Sequence, residues 1–497
     1  MSQPARVRFA PSPTGFLHIG GARTALYNYL LAHQTGGQFL LRIEDTDQKR
    51  LVPDAMEDLL SSLRWLGLVW DEGPEADGPY GPYLQSQRKE IYRTHAQTLI
   101  ERGAAYPCFC TPARLAEVRT RQQQRRETPR YDGLCRSLTP AEAETRVRGG
   151  EPHVVRFKTP REGATSVRDV LRGEITVQNK DLDDSILVKS DGWALYHMAA
   201  MVDDHLMKIT HVIRSSEWLP SLPLHAMIHR AFGWDEPTWC HLSVFLKPSG
   251  KGKMSKRESS ELMKEGHSVF VRDLRALGYT PEGVVNWIAL MGASFDEKQD
   301  VFTLPELAQR FSLDHLSPAP AAVNFTKADH FNGVHLRRLA PEDLAKRMLP
   351  YFTKAALHAD LAQLVRIAPL IQERVVTLDD GVEMAGFFFR EKVTPAPSDL
   401  VGKEMTPASS AEAVRAAAEM INSHADLEDP ALESELRELA ERLGLKPGQL
   451  FGILRAAVTG QTVSPPLFGS MAVIGREKVL ERLAAAERIL RATPPEM

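Results

Sequence analysis

Two short stretches, far apart in the chain, carry residue types that handle phosphate. Near the start, Ala10-Pro11-Ser12-Pro13-Thr14-Gly15-Phe16-Leu17-His18-Ile19-Gly20-Gly21 joins a short alternating strand, with Val7 and Phe9 on one face, to a helical pattern. A strand, a Gly/Pro loop and a helix start leave backbone N–H groups pointing at one place, which suits an anion. His18 stands just before the helix, where it can donate to a phosphate oxygen, and Gly20 lets a nucleotide approach the backbone. A structural turn with an exposed histidine is the plainer reading of that stretch alone. Far downstream, Lys253-Met254-Ser255-Lys256-Arg257 follows the Gly/Lys-rich run Pro248-Ser249-Gly250-Lys251-Gly252. Two lysines on a mobile loop supply positive charge where pyrophosphate would leave. Together the stretches point to a nucleoside triphosphate cleaved at its α-phosphate.

Other residues are out of place for their surroundings. Arg8 and Arg214 sit in otherwise apolar strands, and a buried arginine needs an anion, best a carboxylate that it can grip with two N–H groups. That carboxylate belongs either to a ligand or to an internal Asp or Glu. Glu44, Asp45 and Asp47 stand at a strand end, either as an acidic Mg²⁺ site or with Glu44 facing an ammonium group. Asp203, Asp204 and His205 look like a hydrolase set, yet no nucleophile elbow lies nearby. Cys108, Cys110 and Cys135 cluster, and outside an oxidising compartment such a cluster reads as a metal site before a disulfide. Structural zinc takes four ligands, so one is missing from this set. Cys240 stands alone and reads as a small buried hydrophobe.

The elements that must carry these residues alternate. Arg6–Ala10 is a strand, Gly21–His33 a helix, Gln38–Ile43 a strand and Ala55–Leu66 a helix with Leu59, Leu60, Leu63 and Leu66 on one face. Such alternation implies a parallel sheet covered by helices, an α/β fold of the Rossmann-type doubly wound kind. The pattern breaks near Cys108 and resumes with Ser185–Lys189, Ala194–His197 and Ile209–Arg214 as strands and Leu219–Phe232 as a helix. The segment between is an insertion. After Ser317-Pro318-Ala319-Pro320 the strand signal nearly vanishes, and Ala411–Ile421, Leu432–Leu443 and Arg476–Leu490 read as amphipathic helices. Pro395-Ala396-Pro397-Ser398 reads as a hinge.

With 497 residues, two to four domains are expected, and 43% hydrophobic and 25% charged residues are the balance of a globular protein. No apolar run is long enough for a membrane helix, and Met1-Ser2-Gln3-Pro4 leads straight into a strand without an apolar leader segment, so a cytoplasmic location is the expectation. The net charge of −3 argues against a uniformly basic nucleic-acid binder, but residues 108–182 hold 15 Lys+Arg against 10 Asp+Glu. That insert is the expected contact for a polyanion.

In order and spacing, Arg8 to Gly21, Arg42-Ile43-Glu44-Asp45-Thr46-Asp47, Val202-Asp203-Asp204-His205-Leu206-Met207, Val212-Ile213-Arg214 and Lys253 to Arg257 resemble the bacterial glutamyl-tRNA synthetases, which are class I aminoacyl-tRNA synthetases. The match covers residues 6 to about 335 closely and the rest more loosely. Gly21 replaces the last His of the first family string, and Arg257 the last Ser of the second. The resemblance implies a catalytic domain in two halves (1–107 and 183–242), an inserted acceptor-binding domain (108–182), a helical stem-contact domain with the lysine loop (243–330) and an all-α anticodon-binding region (331–497). It implies ATP with Mg²⁺, L-glutamate and tRNA(Glu) as ligands, no DNA, no membrane, and a monomer. ATP contacts fall to Thr14, His18, Gly20, Gly21, Lys253, Ser255 and Lys256, with His18, Gly20, Lys253 and Lys256 catalytic. Arg8, Tyr196 and Arg214 are assigned to glutamate's side-chain carboxylate, Glu44 to its α-amino group, and Ser12 as a supplement. Some relatives bring a Tyr four residues before the last Cys to the metal, which makes Tyr131 the fourth zinc ligand beside Cys108, Cys110 and Cys135. Arg374 aligns with the residue that reads the last anticodon base. A short paralogue that modifies a tRNA base lacks the long helical region after Phe331, and a glutaminyl enzyme would carry β-barrels there. A noncatalytic tRNA-binding scaffold would have lost the two phosphate motifs.

Overall fold

The computed structural model describes residues 3–255, 258–424 and 426–494. Two compact units make up the chain, one of residues 1–274 with 284–325 and the other of 275–283 with 326–497.

The first unit is built on short parallel strands. β1 (Arg6–Phe9) enters the loop at Ala10, and α1 (Ile19–Thr35) returns the chain to β2 (Gln38–Leu41), which pairs parallel to β1 with Val7 opposite Phe39. This unit buries Ala22, Ala25, Leu26, Leu30 and Leu31 of α1. Gly36, at φ 65°, closes α1 in the left-handed conformation that glycine adopts without strain. α2 (Ala55–Trp65) and α3 (Lys89–Glu101) follow, and then the chain leaves the parallel pattern.

β3 (Ala105–Cys108) starts a small antiparallel sheet that is completed by β4 (Val154–Phe157) and β7 (Ile186–Val188). α4 (Pro112–Gln124) and α5 (Pro140–Arg148) begin at Thr111 and Thr139, whose hydroxyls accept from the first-turn N–H groups. β5 (Ala164–Asp169) and β6 (Gly173–Gln178) form a hairpin with alternating burial along β5. The far end of that hairpin does not stay within the insert. Asp169 pairs in parallel register with Trp239 of β9 (Thr238–Leu242), which lies beside β8 (His211–Ser215).

Ala194–His197 is not the expected strand. Ala194 makes a single bridge to Val188, and α6 (Tyr196–Leu206) begins two residues later. The apolar run Met198–Val202 is buried on all sides, and a short fully buried run reads the same in either conformation. The expected helix from Leu219 begins as a tight turn over Ser216–Ser221, because Pro220 interrupts it, and continues as α7 (Leu222–Phe232).

Among the described residues the second unit from Thr326 onward contains helices and no strands. Two apolar clusters fill it, one from Leu336 to Phe388 and one from Leu400 to Leu490, and the prolines at 395 and 397 lie between them. No helix among the described residues is long and apolar enough to cross a membrane.

Candidate active site and metal cluster

A cavity of about 780 Å³ opens in the first unit, a size that suits a small-molecule complex. It is lined from both motifs: Ser12, Thr14, His18, Gly20 and Gly21 on one side and Lys253, Met254 and Ser255 on the other. Backbone pairing fixes each of them in place. Ile19 N–H donates to Val269 O at 2.8 Å and Val271 N–H to Leu17 O at 2.9 Å, while Met254 N–H reaches Phe245 O at 2.8 Å. Lys256 lies outside the described residues.

His18 caps α1. Its Nδ1 accepts from Gly20 N–H at 3.1 Å and Gly21 N–H at 3.2 Å. With Nδ1 an acceptor, a neutral ring carries its proton on Nε2, which makes that nitrogen a donor. A Cβ on Gly20 would stand 3.0 Å from His18 Cε1, so a larger residue there would push the ring a few tenths of an ångström out of this pose. Lys253 Nζ pairs with Glu217, and Ser255 N–H and Oγ–H both donate to Glu258. Glu217 and Trp218 also line the cavity, and Trp218 stacks on Tyr196 with ring centroids 3.9 Å apart. Neither residue was expected.

The acidic and basic residues divide into two groups. In the first, Arg8 donates from Nε and Nη2 to Asp204 at 2.9 and 3.3 Å, so the internal alternative holds for those two nitrogens. Arg42, fully buried, serves Asp204 at 2.7 Å, Glu44 at 3.1 Å and Asp203 at 3.8 Å. Asp203 also takes Arg88, Gln85 and Tyr92, which explains the Asp203–Asp204 pair as an anchor for buried arginines. Asp204 is held down at about 2, despite its burial, by Arg8 and Arg42. Glu44 shares its one arginine with two aspartates and is left short of positive charge. Burial pushes its carboxyl up to about 7 against the pull of Arg42 and Arg8. Asp45 instead accepts from Ser86 N–H at 2.7 Å, and Asp47 pairs with Arg50, so the three acids do not converge on one point.

Arg214 has the opposite imbalance. It is 5% exposed, and among the described residues no carboxylate lies within ion-pair distance of it. Its Nε donates to His241 Nε2 at 2.9 Å, Nη1 to Tyr196 Oη at 3.0 Å and Nη2 to His225 Nδ1 at 2.9 Å. The guanidinium also lies over the Trp239 ring, 5.3 Å from its centroid. The site thus offers an under-compensated cation at Arg214 and an under-compensated anion at Glu44, both near Tyr196. A ligand with a carboxylate and an ammonium group would satisfy both.

Away from the cavity, the sulfurs of Cys108, Cys110 and Cys135 lie within 4.8 Å of one another. Tyr131 Oη stands 3.4 Å from Cys108 Sγ and 3.6 Å from Cys110 Sγ, and it accepts from Cys135 N–H at 2.8 Å. Three soft thiol groups and a phenol oxygen on one point are a donor set that suits zinc. Burial, with the neighbouring Cys135 and Cys108, pushes the Cys110 thiol up to about 11, even though Arg114 Nη1 donates to its sulfur at 3.3 Å.

In the second unit Arg374 is exposed, and its Nη1 donates to Ser464 O at 2.9 Å. Arg455 Nη1, which sequence reasoning missed, donates to the same oxygen at 3.1 Å.

The sequence matches the family model for class I tRNA synthetases (E and Q), catalytic domain, over residues 4–330, and that of an anticodon binding domain over residues 343–487. It is 45% identical to a glutamate–tRNA ligase of Chloroflexus aurantiacus, covering 97% of both chains, and 42% identical to one of Dehalococcoides mccartyi, covering 99% and 100%. The fold superposes with a TM-score of 0.88, at 35% identity and over 98% and 99% of the two chains, on a glutamate tRNA ligase from Elizabethkingia meningosepticum solved with its amino acid.

Proposed function

This chain belongs to the class I tRNA synthetases of the glutamate and glutamine branch, and from that membership we propose how its residues divide the work. It ligates glutamate to tRNA for protein synthesis. In our reading glutamate's α-carboxylate attacks the α-phosphorus of ATP, which arrives with Mg²⁺, and pyrophosphate leaves. A hydroxyl of the terminal adenosine of tRNA(Glu) then displaces AMP. No side chain is needed as general base, because alignment and charge stabilisation carry the reaction. Thr14, Gly20, Gly21 and Ser255 hold ATP, His18 donates from Nε2 to a phosphate oxygen, and Lys253 and Lys256 neutralise the departing phosphates.

The observation that carries the amino-acid assignment is the carboxylate-free surroundings of Arg214 opposite the charge-starved Glu44. Arg214, with Tyr196 and the remaining Nη1 of Arg8, takes the side-chain carboxylate. Glu44 takes the ammonium group, and Ser12 adds a contact. Pyrophosphate exchange in the presence of tRNA tests this. Glutamate-dependent exchange is expected, with kcat/KM for glutamate level above pH 7 and falling below it as Glu44 takes up a proton. Because the folded pKa of Glu44 lies above its ordinary 4.5, ionisation also destabilises the ligand-free fold as pH rises from 4.5 to about 7, a cost that the ammonium offsets. RNA binding without exchange supports a scaffold instead, and a flat profile from pH 5.5 to 8 removes Glu44 from the site.

We assign residues 1–107 with 183–242 to catalysis, 108–182 to the acceptor arm, 243–330 to the stem contact and 331–497 to the anticodon, where Arg374 reads the last base. The protein works in the cytoplasm as a monomer. Zinc would be held by Cys108, Cys110, Cys135 and Tyr131, and its role there is to tie the end of β3 to the turn at Leu134–Ser137. Elemental analysis of the purified protein is expected to find one zinc per chain. Cys110→Ser is expected to lose it and to weaken tRNA binding more than glutamate binding. Full metal content in that variant excludes Cys110 as a ligand.

A further inference from the structure

Arg214 stands in a chain of hydrogen bonds that crosses five elements and whose proton positions are all determined. His241 on β9 is its register partner on β8, and His225 faces it from α7. Arginine can only donate, so His241 Nε2 and His225 Nδ1 must both accept. The proton of His241 is therefore on Nδ1, where it meets Asp169 Oδ2 at 2.7 Å. The proton of His225 is on Nε2, where it meets His197 Nδ1 at 2.9 Å. Burial holds all three imidazoles below their ordinary pKa, which keeps them neutral at pH 7. Asp169 itself has no freedom, because its Oδ1 accepts from both Leu171 and Arg172 N–H at 3.0 Å.

We propose that Asp169, His241 and His225 are positioning residues that fix Arg214 for the substrate's side-chain carboxylate and so set the preference for glutamate over its amide. Their role rests on the assignment of Arg214 to that carboxylate. A carboxylate in direct contact with Arg214 would neutralise it, and a neutral amide would then bind almost as well. Three neutral acceptors instead orient the guanidinium and leave its charge for the ligand, with two of its five N–H groups still available. Asp169 supplies the negative charge one ring away and dictates which face of His241 accepts.

Asp169→Asn tests this, because the two backbone donors at Oδ1 require the amide oxygen to stay there. The NH2 group then faces His241 Nδ1, which must accept, and the proton moves to Nε2 against the N–H of Arg214. We expect KM for glutamate to rise about 10- to 100-fold, the worth of one hydrogen bond to a charged group, with KM for ATP within about twofold. Discrimination against glutamine should narrow by a similar factor. Nitrogen-detected imidazole NMR should show His241 change from the Nδ1–H to the Nε2–H tautomer. His225→Leu removes the second acceptor without touching Asp169 and should raise KM for glutamate in the same way. An inverted tautomer with an unchanged KM overturns the proposal, and so does a rise in the KM values of glutamate and ATP together, which marks a merely structural network. If Arg214→Gln leaves KM for glutamate unaltered, the underlying assignment of Arg214 has failed instead.

Discussion

Arg214→Gln is expected to lower kcat/KM for glutamate by on the order of 10²–10³, the cost of leaving one member of a buried charge pair alone. Glutamine is polar and shorter, with its amide at the level of the arginine Nε, so the variant can keep a contact with His241 while it removes the charge. The substrate carboxylate would then be left with Tyr196 and the remaining Nη1 of Arg8, and behind the new side chain would stand Trp239 and two neutral imidazoles. Arg8 cannot take over, because two of its nitrogens are committed to Asp204. KM for ATP should stay near its normal value, since Arg214 meets the cavity from β8 and the phosphate-binding loop meets it from the start of α1. Activation of glutamine should suffer much less than that of glutamate, because an amide brings no charge to be stranded. Exchange assays with each amino acid measure both effects, and equal losses for the two would show that the variant damages the pocket's shape rather than its charge.

The sequence marks Arg214 and not the residues that hold it, and the reason is physical. An arginine in an apolar strand breaks the local pattern and is visible in one dimension. His225 and His241 are ordinary members of an apolar helix and an apolar strand, and Asp169 ends a hairpin in what reads as a separate insertion. They meet Arg214 only because β8 and β9 pair with Arg214 opposite His241 and because the end of β5 joins β9. Register between distant segments is set by the whole sheet, so no local signal carries it. The loop motifs were legible for the opposite reason. Gly20 leaves room where His18 folds back on its own backbone, and that close approach is contained within three residues. The misreading of Ala194–His197 as a strand belongs to the same class as the missed network. Burial on every side erases the period that separates strand from helix, and only the packing of α6 against α7 and α3 decides it.

Lys253→Ala is the second large effect expected, a fall of about 10² in the rate of adenylate formation with KM for glutamate little changed. Removing one preorganised charge from a site where negative charge builds during the reaction acts on kcat, whereas a lost ground-state contact would appear in KM. Lys253 Nζ is paired with Glu217, at the rim of the cavity that His18 also lines. That pair is half exposed, so it is weak and easily exchanged for a triphosphate. The backbone behind it is fixed, because Lys253 bridges to Leu246 and Met254 N–H bonds to Phe245 O, and the ammonium therefore swings on its own side chain while its root stays in place. Lys253→Arg should recover part of the loss, since charge is kept while the planar guanidinium fits the swing less well. Rapid-quench measurement of the first turnover separates this step from transfer to tRNA. An adenylate rate in Lys253→Ala equal to that of the unaltered protein would leave the charge on the departing phosphates to be met from elsewhere, and the pairing of the two motifs around one nucleotide would lose its chemical purpose.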